Sequence, residues 1–126
     1  MAKLNFYLSE FSKNDFLFWT VSTQCEKVVR VRLIVNGKVF FEAKKTDSDK
    51  TLKVIRQDYG TIAAGNPELY IEVDDSTSLQ QSIVSGLIAD NKKRRVGFVY
   101  DYCIETGDDN LFNDVYINVV GWKRKG

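Results

Sequence analysis

The sequence predicts an all-β domain, a β-sandwich or barrel, on three observations. Strand-forming residues dominate: 13% of the chain is aromatic, Val, Ile, Phe and Tyr recur in short runs, and there is one proline, Pro67. Those runs return at roughly ten-residue spacing with turn residues between them, the rhythm of many short strands. Asn36-Gly37 also stands between two apolar runs. Both central positions of a type I′ turn need positive φ, which makes Asn-Gly the strongest short hairpin signal.

Leu4 to Leu8 alternates, and Phe16 to Val21 is an apolar run too short for a helix; both read as strands. Val29, Val31, Leu33 and Val35 alternate with Arg30, Arg32 and Ile34, and after the Asn36-Gly37 turn the chain returns through Val39 to Phe41. Asp47-Ser48-Asp49 turns into a strand over Thr51 to Arg56, and the Ala63 to Pro67 cluster turns into Leu69 to Val73. Asp74 to Ser78 is a polar turn. Ser82 to Ile88 is the next strand, and Gly86 within it predicts a bulge or a close backbone approach. Lys92 to Arg95 reads as a solvated turn, with a patch for an anionic partner as the other reading. Val96, Phe98, Tyr100, Tyr102 and Ile104 share one face of a long strand with Cys103 on the other face, and Val115 to Val120 is the last strand. Trp19 and Trp122 are the aromatics that could stack on a sugar; core packing is the competing expectation for each.

The chain of 126 residues fits one domain with a sizeable core. Its 18 basic and 17 acidic residues leave a net charge of +1, and the cations are scattered, so no global field favours nucleic acid. No charged n-region with an apolar h-region follows Met1 and no apolar run is long enough to span a bilayer. The expectation is a protein made in the cytosol without a signal peptide and without membrane insertion; release to the extracellular space by a non-classical route stays open. Cys25 and Cys103 are too few for a zinc site or a disulfide framework and read as free buried thiols. Histidine is absent, which removes the commonest general base and every Ser-His or Cys-His nucleophile. Most hydrolase mechanisms become improbable, and the expectation, together with the resemblance that Glu105 to Gly126 carries, is a protein that is not an enzyme.

The densest polar segment is GDDNLFND, residues 107 to 114. Glu105, Asp108, Asp109, Asn110, Asn113 and Asp114 offer many oxygens, and calcium takes about six to eight oxygen ligands. The spacing is not that of an EF-hand, because Leu111 breaks it. Gly107 with its Asn and Asp neighbours also suits an ordinary hairpin loop.

The segment ETGDDNLFNDVYINVVGWKRKG, Glu105 to Gly126, resembles the C-terminal signature of the small calcium-dependent bacterial lectins that bind fucose and mannose, the LecB type. In that signature an acidic loop leads into an apolar strand, a tryptophan and a terminal glycine. Glu105, Gly107, Asp109, Phe112, Asn113, Asp114, Trp122 and Gly126 hold the corresponding places, and the order of strands upstream is similar. The resemblance implies a Greek-key antiparallel β-sandwich of about nine strands. It implies two calcium ions coordinated directly by sugar hydroxyls, and a homodimer or dimer of dimers with Val115 to Trp122 at or near the interface.

Carried over by position, Glu105, Asp109, Asn113 and Asp114 fall on calcium ligands, and Gly126 on the terminal glycine whose carboxylate reaches the partner's site. Thr23, Gln24, Cys25, Thr106 and Asp108 fall on or beside the sugar-contacting positions. Several of these depart from the family pattern. Leu111 replaces an aspartate that bridges the two ions, Thr23 or Gln24 an asparagine ligand, and Thr106 an aspartate. Losing a bridging carboxylate leaves two dications less compensated, so the resemblance implies an altered site holding one ion, a loosely held ion or none. The second reading is a non-catalytic protein-binding or assembly module on the same sandwich.

Overall fold

A computed structural model describes residues 1–107 and 114–123. Among these residues the chain forms nine strands and no helix, arranged as two antiparallel sheets packed face to face. The strands are β1 (Ala2–Tyr7), β2 (Phe16–Thr23), β3 (Val29–Val35), β4 (Lys38–Lys45), β5 (Lys53–Thr61), β6 (Glu68–Val73), β7 (Gln80–Ala89), β8 (Arg95–Glu105) and β9 (Val115–Trp122). One sheet runs β1-β6-β3-β4 and the other β5-β2-β9-β8-β7. Successive strands cross between the sheets except in the β3-β4 hairpin and the β7-β8-β9 meander, so the topology is the Greek-key sandwich that the resemblance implies.

The hairpin forms at Asn36-Gly37, with φ of 52° and 77° and Val35 opposite Lys38. Each alternating run puts its apolar set inward: Val29, Val31, Leu33 and Val35 from β3 meet Leu17, Trp19 and Val21 from β2 and Ile117 and Val119 from β9. Trp19 is in the core, 1% exposed and tilted against Phe41 at 5.4 Å. Trp122 is 38% exposed on the outer face of the five-stranded sheet.

The expectation at Gly86 is corrected. Gly86 pairs with Val99 in continuous register and an added Cβ there would meet nothing within 4 Å, so it marks neither a bulge nor a close approach; the register shift falls between Ile88 and Ala89. The most crowded glycine is Gly121, where a Cβ would run into the Phe11 ring and come within 2.8 Å of the Leu17 methyl; at Gly97 a Cβ would lie 2.8 Å from the Gly121 carbonyl oxygen. Gly121→Ala is expected to destabilise the fold by about 1–3 kcal/mol through overpacking, read as a lower urea midpoint at unchanged slope. β5 starts at Lys53, later than the sequence predicts, and runs on to Thr61. β9 is flanked by β2 and β8 on both edges, so it reaches the surface only through Tyr116, Asn118, Val120 and Trp122 on its outer face. No helix of the described residues is long and apolar enough to cross a membrane.

Candidate functional site

Strand pairing brings the candidate residues together. Val115 at the start of β9 lies opposite Thr23 at the end of β2 and opposite Ile104 near the end of β8. The segments that follow β2 and β8 therefore meet at one end of the five-stranded sheet, on either side of Asp114. Between them is a cleft of about 250 Å³. Gln24, Cys25, Glu26 and Lys27 form one wall, Glu105, Thr106, Gly107 and Asp114 the other, and Lys50 reaches in from the β4-β5 connection.

Asp114 ties the walls to each other. Its Oδ2 accepts the Thr106 backbone N–H at 2.8 Å and the Thr106 hydroxyl at 2.9 Å, and its carbonyl oxygen accepts the Gln24 N–H at 2.9 Å. Glu105, 1% exposed, accepts the Gly107 N–H on Oε1 at 2.8 Å, which closes the turn after β8. Gln24 donates its side-chain amide to the Tyr116 hydroxyl at 2.7 Å. These bonds fix the direction of both carboxylates before any ligand arrives, the kind of preorganisation that lowers the ordering cost of binding.

A lysine pair supports the floor. Lys27 Nζ donates to Ser76 Oγ at 3.1 Å and to the Thr106 carbonyl at 2.9 Å, and Ser76 Oγ donates to that same carbonyl at 2.8 Å. Lys45, 2% exposed at the inward end of β4, donates to the carbonyls of Lys27 and Asp47 at 3.3 and 2.6 Å and lies 3.3 Å from the Asp47 carboxylate. The cleft is thus of mixed charge, with Glu26, Glu105 and Asp114 set against Lys27 and Lys50. Burial pushes the Cys25 thiol above its ordinary range and the Asp114 charge adds to that, against a backbone hydrogen bond at Lys27. Cys103 is also raised, by burial first and then by Asp114 and Glu105. Both shifts favour the neutral thiol over the reactive thiolate.

Of the residues singled out from the sequence, Gln24, Cys25, Glu105, Thr106 and Asp114 meet in the cleft. Thr23 is fully buried on the core side of β2, away from the cleft lining, and its Oγ1 has no hydrogen-bond partner among the described residues. The candidates Asp108, Asp109, Asn113 and Gly126, and Leu111 with them, lie outside the described residues. Lys27 and Lys50 are cleft residues that sequence reasoning missed, as is Ser76, buried behind the wall and bonded to Lys27 and the Thr106 carbonyl. A lone lysine carries no signal of its own; Lys27 could have been found only through its place next to Cys25 and Glu26. Among the described residues no three His, Cys, Asp or Glu side chains come together to hold a metal ion.

No protein-family model matches the chain, and no curated protein does. Solved structures do match. A high-affinity mannose-binding lectin from Ralstonia solanacearum is similar at a TM-score of 0.65 and 15% identity, over 96% of this chain and 96% of that one. The Chromobacterium violaceum lectin CV2L, in complex with alpha-methyl-fucoside, gives 0.63 at 14% identity over 91% and 96%. The C-terminal domain of the BC2L-C lectin from Burkholderia cenocepacia gives 0.64 at 13% identity over 91% and 95%. The likeness is one of fold: this chain is an all-β sandwich built as these bacterial lectins are.

Proposed function

We propose that the protein binds carbohydrate, of the fucose or mannose type, in the cleft between the segments after β2 and β8, and leaves it chemically unchanged. The observation that carries this reading is the convergence on Asp114 of Gln24 and Thr106, remote in sequence, at one end of a sandwich shared with sugar-binding lectins. Sugar hydroxyls both donate and accept, so a cleft holding carboxylate acceptors beside ammonium donors suits them. No general base is needed, in keeping with a sequence that has no histidine.

Calcium belongs to the finer part of this reading. Glu105 and Asp114 would supply two of its ligands, and Asp109, Asn113 and the Gly126 carboxylate would have to supply others. Against it stands the Lys27 ammonium, 2.9 Å from the Thr106 carbonyl at the cleft wall, whose charge opposes a dication. Calcium is therefore expected to act only in about the millimolar range. A symmetric homodimer, or a dimer of dimers, would place several clefts on one particle and convert modest sugar contacts into avidity on a surface.

A glycan array with calcium, repeated with chelator, tests the function. Binding of fucose- or mannose-terminated glycans in either condition is the expected result, and no glycan bound in either overturns it. Melting temperature against calcium concentration tests the ion, since a ligand of the folded state alone raises stability by mass action. The wild type is expected to respond only at high calcium and Leu111→Asp, which restores the family's bridging carboxylate, at lower calcium. Identical curves for the two proteins would remove calcium from the proposal and leave sugar binding to be judged by the array.

A further inference from the structure

The outer face of the five-stranded sheet holds a second concavity, a groove of about 300 Å³ across β2, β9, β8 and β7. Two cross-strand rows build it. Thr20, Asn118, Asp101 and Val84 lie opposite one another in the first, and Ser22, Tyr116, Cys103 and Ser82 in the second. Residues two apart along a strand share a face, and Trp19 and Val21 between them are in the core, so both rows point outward.

The second row leads into the cleft. Two residues beyond Ser22, before Tyr116 and beyond Cys103 stand Gln24, Asp114 and Glu105, which line it. A step of two residues is about 6.6–6.8 Å along a strand, so groove and cleft are neighbours on the same three strands. A hydrogen bond marks the join: Gln24, in the cleft wall, donates to the Tyr116 hydroxyl, in the groove, at 2.7 Å.

The lining decides what the groove can take. Among the described residues that line it there is no lysine or arginine, so an anionic group would find no counter-charge there. Asp101 is the one carboxylate among them, too few for a divalent cation. The commonest polar group is the hydroxyl, from Thr20, Ser22, Ser82 and Tyr116, each able to donate and to accept. Asn118 donates to the Asp101 carboxylate, which sets the two side chains relative to each other. A second carboxylate oxygen, a second amide N–H and the amide oxygen are left for a ligand. Val84 adds an apolar surface at the edge. A neutral molecule with many hydroxyls and an apolar face matches this lining, and a sugar ring is such a molecule.

We propose that groove and cleft are one extended site for an oligosaccharide, with the terminal sugar in the cleft and the next sugar in the groove. This rests on the cleft being the carbohydrate site, and it names the ligand that site is built for: a chain, not a single sugar. Covalent linkage makes the second contact intramolecular, so modest hydrogen bonds in the groove add directly to affinity. Of the outer face of β9 the extended site uses Tyr116 and Asn118 and leaves Val120 and Trp122 to other contacts.

Titration calorimetry with two ligands tests it: the methyl glycoside of the terminal sugar that the array selects, and a trisaccharide ending in that sugar. The wild type is expected to bind the trisaccharide at least about tenfold more tightly, the equivalent of about one or two net hydrogen bonds. Ser82→Arg, on the exposed edge strand, fills the groove with a long side chain that can pair with Asp101, and Asn118→Ala removes the groove's amide. Both variants are expected to erase the gain and to bind the methyl glycoside as the wild type does; a circular dichroism melt confirms that each is folded. Equal affinity of the wild type for the two ligands overturns the extended site and leaves the cleft reading standing, as does a gain that both variants retain. Variants that weaken both ligands equally also overturn it, since the groove would then act only by shaping the cleft. Binding of neither ligand by the wild type overturns the cleft reading and the extended site with it. Sedimentation of the same samples adds one more outcome: a dimer that Ser82→Arg dissociates would mean that a second copy covers the groove, and would overturn the proposal.

Discussion

Replacing Asp114 by alanine is expected to abolish glycan binding and to cost about 1–3 kcal/mol of folding stability. One carboxylate oxygen takes both the backbone N–H and the hydroxyl of Thr106, so truncation leaves two part-buried donors without an acceptor. Thr106 would then lose its fixed place, and with it the wall that faces Gln24. Asp114→Asn separates the two effects. Its amide oxygen can still accept from Thr106, so most of the stability should return, while the negative charge offered to a sugar or a cation does not. Titration calorimetry on the folded variants against the best array glycan, beside urea unfolding, reads both quantities. A normal affinity for Asp114→Ala would place the binding site elsewhere on the sandwich.

Trp19→Ala should give the largest loss of stability, about 3–5 kcal/mol, a sizeable part of the 5–15 kcal/mol typical of a domain. Trp19 is among the largest fully buried side chains and packs on Phe41 from the opposite sheet, so its removal opens a void between the sheets, not at a surface. Its indole N–H is buried without a hydrogen-bond partner among the described residues. Trp19→Phe therefore removes an unsatisfied donor along with part of the volume, and its cost should be well below that of alanine. The comparison is made by urea unfolding. Alanine and phenylalanine variants of equal stability would mean that the indole does not fill the core as the packing indicates.

The strands were legible because one face of each is buried and alternation is the direct trace of that. β3 is the clearest case: Val29, Val31, Leu33 and Val35 all point inward, and the observed bounds coincide with the apolar run. β5 was harder to read because it is an edge strand whose residues are mostly exposed or half exposed, which weakens the periodic signal and blurs its start. Gly86 misled for a related reason. A glycine in a strand suggests crowding only when something lies over it, and whether β7 is covered depends on sheet order, which a single sequence does not reveal. In the sequence, the acids and amides at 105–114 stood out by density alone, and of these Glu105 and Asp114 line the cleft among the described residues. Lys27, Ser76 and the buried Lys45 did not, since each owes its position to a contact far along the chain.

The order of strands in the larger sheet also governs how the protein acquires its shape. β9 sits between β2 and β8, and the Gln24 to Tyr116 hydrogen bond spans 92 residues. Closing a loop of that length before any reward is collected favours slow folding, in the millisecond to second range common for β-sandwiches. On the ribosome, β2 must wait with its β9-facing edge unpaired while seven later strands emerge, and the cleft can form only once Asp114 and β9 have left the exit tunnel. A nascent chain lacking β9 would expose Trp19 and Val21 beside an open strand edge, which is the state most prone to aggregate and the one a chaperone would be expected to hold.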